Sequence, residues 1–174
     1  MMSNTGFRIM SFMFRIADLF SPKGKRLADF GIKEGFTVVD YGCGPGRYIP
    51  AASRFVGPGG KVYAVDIHEL AIRSVKKIIN KNSLVNVVPV LAKGYVSGLA
   101  SNCADLIYAL DMFHGIKEPE VFLKELRRIV KESGVLILED GHQPRKATLE
   151  KLRNSGLWKI EEECEKYIKL KAAL

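Results

Sequence analysis

The chain has no CxxC pair, no cluster of histidines and no apolar run near the ~20 residues of a membrane-spanning helix. Cys43, Cys103 and Cys164 are far apart and odd in number, which argues against a disulfide framework and fits reduced thiols. The three scattered histidines give no zinc-ligand spacing, so no metal is expected. Arg8, Arg15 and Asp18 interrupt the apolar N-terminus, and no small-residue cleavage site follows it. The expectation is a soluble, untargeted, cytoplasmic protein. Low-complexity segments and internal repeats are also missing. At 174 residues, 47% of them apolar, the chain suits a single domain over residues 1–174. Acid is the scarcer charge, 19 Asp and Glu against 27 Lys and Arg, for a net +8. That balance leaves nucleic acid open as a partner until the cations are placed.

What is present is a regular alternation. Residues 7–20, FRIMSFMFRIADLF, place Ile9, Phe12, Met13, Ile16, Leu19 and Phe20 on one helical face, with Arg8, Ser11, Arg15 and Asp18 opposite and Met10, Phe14 and Ala17 widening the apolar arc. A short helix follows, with Ser21 as N-cap and Pro22 at its first position, ending by Gly31. Strands are expected at 36–41, 61–66, 86–90, 104–110 and 135–140, and helices at about 47–55, 69–82, 119–133 and 145–154. WKIEEECEKYIKLKAAL closes the chain as two strands joined by a tight connection. Apolar strands alternating with amphipathic helices predict an α/β fold, a mostly parallel sheet covered on both faces, with an antiparallel hairpin at one edge.

The chemistry concentrates in VVDYGCGPGRY, residues 38–48. Gly42, Gly44 and Gly46 follow the first strand, where open α/β sheets bind ligands, and leave the backbone bare for close approach. Asp66 ends the second strand, where an acid accepts hydrogen bonds from ribose hydroxyls. An adenosine-bearing ligand is therefore expected, and both NAD and S-adenosylmethionine satisfy the pattern. The spacing is GxGxG rather than the dinucleotide GxGxxG, and Asp40 precedes the glycines, where it suits an amino group and repels a phosphate. Both features favour a ligand with an amino-acid end. Tyr167 and Lys171 are spaced YxxxK, as in short-chain dehydrogenases, but fall in an expected strand rather than on one helix turn.

These residues, with GPGGKVYAVDIHELAI and DLIYALDMFHGIKEPEVFLKELRRIVKESGVLILED in the same order, resemble the class I S-adenosylmethionine-dependent methyltransferases over roughly residues 25–164. The resemblance implies a Rossmann-like doubly wound seven-stranded sheet, order 3-2-1-4-5-7-6 with strand 7 antiparallel, for a core of residues 31–174. It implies S-adenosyl-L-methionine as cofactor and S-adenosyl-L-homocysteine as product. Gly42, Cys43, Gly44 and Gly46 would line the methionine end, Asp40 would orient its amino group, Asp66 would hold the ribose, Ile67 would pack on adenine, and Leu110 would close the pocket. Family members commonly carry an acid after the third strand for the adenine amino group. That place falls on Lys93, and residues 86–104 contain no Asp or Glu.

Methyl transfer from a sulfonium needs alignment and exclusion of water, and a base only where the acceptor must lose a proton. His114, beyond the fourth strand, with Asp111 in the same loop, is the candidate for that proton; His142 and Asp140 follow the fifth strand. No NPPY or DPPY follows the fourth strand, and no cysteine sits in a pyrimidine-attacking motif. ALDMFHGI is similar to members that methylate small molecules, including quinone precursors and lipids. Arg73, Lys76, Lys77 and Lys81 lie on one expected helix and Lys124, Arg127, Arg128 and Lys131 on another, on opposite faces of the sheet. This favours dispersed surface charge and a small, apolar acceptor over a nucleic-acid stripe, with an RNA methyltransferase or a non-catalytic S-adenosylmethionine-binding module as alternatives. The oligomeric state is not encoded in any pattern. Residues 1–30 are expected to form a helical lid or cap, either closing over an apolar acceptor or packed permanently on the sheet.

Overall fold

The computed structural model describes residues 3–19 and 23–173, without the side chains of residues 10, 12, 14–19 and 23–25. Two helices, α1 (Asn4–Leu19) and α2 (Lys23–Ala28), precede the alternation β1 (Thr37–Tyr41), α3 (Ile49–Val56), β2 (Lys61–Asp66), α4 (Glu69–Asn82) and β3 (Val87–Leu91). After β4 (Ala104–Ala109) come a single 3₁₀ turn (Phe113–Gly115), α5 (Pro119–Ile129), β5 (Val130–Leu138), α6 (Arg145–Ser155), β6 (Trp158–Glu163) and β7 (Ile168–Ala172).

The strands form one sheet in the order β3-β2-β1-β4-β5-β7-β6. β3 to β5 run parallel, and β7 pairs antiparallel with both β5 and β6. Val38, Val39, Asp40 and Tyr41 are all buried, as a central strand covered on both faces requires. Alternate strand residues feed two cores. Val38, Val62, Leu106 and Tyr108 pack with α2, α3 and α4, and Val39, Val65, Ile107 and Leu136 pack with α5 and α6. The C-terminal ends of β1, β2, β4 and β5 consequently open toward the same rim.

Four expectations change. The helix expected over 119–133 ends at Ile129, and β5 begins at Val130, which pairs with Ala104 before a register shift. Lys131, expected on the helix, stands in β5 with its ammonium 2.6 Å from Asp105. Arg128 is tied down as well: its guanidinium donates to both Glu125 oxygens and to the Leu99 carbonyl, each at 2.8 Å. The fourth change concerns α1. Phe7, 6% exposed, faces inward, whereas Ile9 and Met13 are 58% and 63% exposed. Ser11, expected on the outer face, is half-buried. An apolar arc this wide is compatible with several helix rotations; among the described side chains, Phe7 meets His68, far away in sequence. Phe12, Ile16 and Leu19, the arc-widening Met10, Phe14 and Ala17, Phe20 itself, and the Ser21–Pro22 cap lie outside the described residues or side chains.

Candidate active site

The strand ends surround a cavity of about 880 Å³. Its first wall is the turn after β1. Gly42, Gly44 and Gly46 all hold left-handed conformations, φ 81°, 52° and 85°. A Cβ at Gly42 would lie 2.7 Å from Met112 Sδ, so the loop after β4 packs closely on this turn and a larger residue would push the flexible Met112 side chain aside. Cys43 is buried, and burial pushes its thiol well above the ordinary range, a poor state for a nucleophile.

Asp66 supports the turn from below. Its Oδ2 accepts from the Gly44 N–H at 2.9 Å and its Oδ1 from the His68 N–H at 2.8 Å. Each oxygen keeps a lone pair for a further donor. Burial raises its carboxyl above the ordinary value, opposed by these backbone donors. His68 Nδ1 in turn caps α4 by accepting from the Leu70 N–H at 3.2 Å. Phe7 of α1 stacks on the His68 ring, centroids 4.7 Å apart and planes at 21°. Phe7 thus joins the cavity wall, a contribution that helical periodicity alone did not single out.

Asp40, at the end of β1, is buried, and burial lifts its carboxyl to about 8, with Asp66 adding repulsion and the nearby Tyr108 hydroxyl pulling the other way. Asp40 Oδ2 and the Tyr108 hydroxyl are nevertheless both buried without a hydrogen bond of good geometry. A buried carboxylate oxygen lacking a partner, on a cavity wall, suits an incoming ammonium, whose charge offsets the cost of ionising the acid. The chain therefore fits an amino-acid ligand at this end. The sequence argument that Asp40 repels phosphate weakens at neutral pH, where burial favours the protonated form.

The opposite wall comes from β4, β5 and α2. Leu110 is buried and lines the cavity, and Ile67, 41% exposed, lines it on the side of β2. Glu139, just past β5, receives Arg26 of α2 on one oxygen and the Asp111 N–H on the other, the latter at 2.8 Å. Arg26 also donates to the Tyr48 hydroxyl at 3.1 Å. Sequence reasoning missed Arg26, Tyr48 and Glu139, because nothing local marks a contact spanning 113 residues. Asp111 holds a left-handed φ of 51°, and its carboxylate lies 3.6 Å from His142 Nε2 rather than pairing with His114. His114 and His142 meet edge to face, centroids 4.8 Å apart. Both line the cavity; Asp140 instead bonds Arg145 at 2.8 Å.

Lys93 does not line this cavity. Its backbone N–H and carbonyl are both taken by a turn with Val96, at 3.0 and 3.1 Å, and its side chain is exposed. Gly94 and Tyr95 form the wall there, Tyr95 fixed by its carbonyl to the Tyr41 hydroxyl at 2.7 Å.

Sheet order, glycine turn and strand-end acid together define an open α/β domain with a seat for a nucleoside that carries an amino-acid end. Comparison with known proteins agrees: residues 39–138 match the family described as "Methyltransferase domain". The chain belongs to the class I S-adenosylmethionine-dependent methyltransferase family. It is 27% identical over 113 residues to a protein of Saccharolobus solfataricus named "Probable cobalt-precorrin-6B C(15)-methyltransferase (decarboxylating)", covering 65% of this chain and 56% of that one. It is likewise 27% identical over 131 residues to a ubiquinone/menaquinone biosynthesis C-methyltransferase of Saccharophagus degradans, covering 75% and 53%. The chain thus spans about half the length of these curated relatives. Among solved structures, a SAM dependent methyltransferase from Aquifex aeolicus superposes with a TM-score of 0.78 at 29% identity, over 91% of this chain and 97% of that one.

Proposed function

We propose that this chain transfers a methyl group from S-adenosylmethionine to a small acceptor with an apolar body. The observation that carries the reading is the division of one cavity into two kinds of wall. The glycine turn, Asp40, Asp66 and Leu110 suit the donor, and Met112, Ile116 and Phe122 offer an apolar acceptor space beyond it. Asp40 takes the donor's ammonium, Gly42, Cys43, Gly44 and Gly46 its methionine chain, Asp66 its ribose and Ile67 its adenine face. Gly94 and Tyr95 serve where Lys93 was expected. His114 and Asp111 stand on the acceptor side.

Residues 31–174 act as the core and residues 1–30 as the cap, in a single domain. Among the described residues of the cap, Phe7 and Arg26 line the cavity. The cytoplasm is the proposed compartment, supported by three free cysteines. Two relatives named for precorrin and quinone methylation support a small acceptor. So does the placement of the cations: α4 and α5 cover opposite faces of the sheet, and Arg128 and Lys131 are committed to Glu125 and Asp105.

Labelled methyl donor incubated with separately extracted lipid, small-molecule, RNA and protein fractions tests the assignment. Label is expected in the lipid or small-molecule fraction. Label in RNA overturns the acceptor class, and label in none favours a binding module.

A further inference from the structure

The nucleoside end of the cavity is built from faces rather than from polar edges. Ile67, on the turn after β2, and Phe7, from α1, both line it, and Phe7 is seated by its stack on the buried His68 ring. The polar atoms around them are already committed. The Lys93 carbonyl accepts from the Val96 N–H at 3.1 Å, and the Tyr95 carbonyl from the Tyr41 hydroxyl at 2.7 Å. The Tyr95 hydroxyl accepts from the Glu118 N–H at 3.3 Å. His68 Nδ1 accepts from the Leu70 N–H, so the neutral ring carries its proton on Nε2 and offers a donor, not an acceptor. Asp111 and Glu139 line the cavity from beyond β4 and β5, and β1 stands between β2 and β4, a separation of about 10 Å from the end of β2. With Asp40 given to the ammonium, Asp66 is left as the one carboxylate or side-chain amide at this end among the described residues, and it serves the ribose. Gly94, φ 60°, completes the wall: a Cβ on it would meet nothing within 4 Å, so space lies open beside it.

From this arrangement we propose that the chain reads the donor's nucleobase by its faces and not by its amino edge, so that donors carrying hypoxanthine or an N6-alkylated adenine are accepted beside S-adenosylmethionine, the added group leaving past Gly94. The proposal rests on the methyl-transfer reading above. Stacking is tolerant because every base presents a π-face. Replacing the 6-amino group by a carbonyl oxygen turns a hydrogen-bond donor into an acceptor. A site with a fixed acceptor for that amino group would reject the change by orders of magnitude, because its own polar group would be left unpaired, whereas apolar contact distinguishes near-isosteres only weakly. Phe7 and Ile67 are the residues that set this tolerance, one from the cap and one from the sheet.

The test uses the full chain and calorimetric titration with three product nucleosides: S-adenosylhomocysteine, S-inosylhomocysteine and the N6-benzyl derivative of S-adenosylhomocysteine. No binding of S-adenosylhomocysteine itself refutes the methyl-transfer reading. With that binding established, the other two are expected within about tenfold of it. A greater weakening for S-inosylhomocysteine overturns recognition by faces alone, and a greater weakening for the benzyl compound overturns the open edge at Gly94. Phe7→Leu keeps an apolar side chain and removes the ring. It should weaken S-adenosylhomocysteine and S-inosylhomocysteine alike, by about fivefold or more. Unchanged affinity in that variant removes Phe7 from the seat, and a loss confined to S-adenosylhomocysteine reveals an adenine-specific contact and overturns the proposal.

Discussion

At the scale of single residues, Asp40 sets the clearest expectation. Its carboxyl stays protonated in the folded chain up to about pH 8, whereas an exposed aspartate ionises near 4. Between those values the native state holds a proton that the unfolded chain lacks. Stability is therefore highest at the acid end of the window and falls as pH rises through it. Asp40→Asn, neutral at every pH, should flatten that part of the stability profile and raise the melting temperature relative to wild type at pH 8. The same variant should bind S-adenosylmethionine more weakly, since the ammonium loses its carboxylate. In the wild type, donor binding should release a proton and tighten as pH rises toward 8. Calorimetry in buffers of different ionisation enthalpy measures that proton; no release would contradict the ammonium assignment. That Asp40 precedes three glycines was legible in the sequence, but its protonation was not, because burial belongs to the assembled sheet.

At the scale of elements, α5 and the segment after β3 behave as one unit. Glu125 is buried, and although burial pushes its carboxyl up, the Arg128 and Ser97 hydrogen bonds outweigh this and hold it below the ordinary value. Its Oε1 accepts from the Ser97 N–H at 2.9 Å and hydroxyl at 2.6 Å, while Arg128 reaches on to the Leu99 carbonyl. Glu125→Ala should cost about 1–3 kcal/mol in chemical denaturation, because it leaves the buried Ser97 N–H and hydroxyl without their acceptor and takes the carboxylate from Arg128. It should also raise hydrogen exchange in residues 95–101; an unchanged midpoint would refute the role. Such ties explain the limit of sequence reading. β2 and α4 were expected at 61–66 and 69–82 and occur there, because each carries a complete local signal of its own period. VKES at 130–133 was expected as the end of a helix, being rich in helix formers before a glycine. Pairing of Val130 with Ala104 overrides that local preference, and only the assembled sheet supplies it.

At the scale of the whole molecule, the two walls of the cavity come from segments that meet only on folding. Phe7 approaches from α1 to His68, and Arg26 from α2 to Glu139. Sheet order was legible through the family resemblance, whose motifs, the glycine turn and Asp66, are spaced by the strand–helix–strand unit itself. The acceptor side depends on contacts between residues that no motif links. Removing residues 1–20 should lower turnover more than tenfold while leaving a cooperative unfolding transition and donor binding within a few-fold of wild type, as a lid requires. Loss of the folded state would instead make α1 part of the core. The central claim, that this cavity seats S-adenosylmethionine, is tested most directly by calorimetric titration with S-adenosylmethionine, S-adenosylhomocysteine and NAD. The account predicts saturable binding of the first two, abolished in Asp66→Ala, and no heat from NAD. Saturable NAD binding with none of either sulfur nucleoside would contradict it.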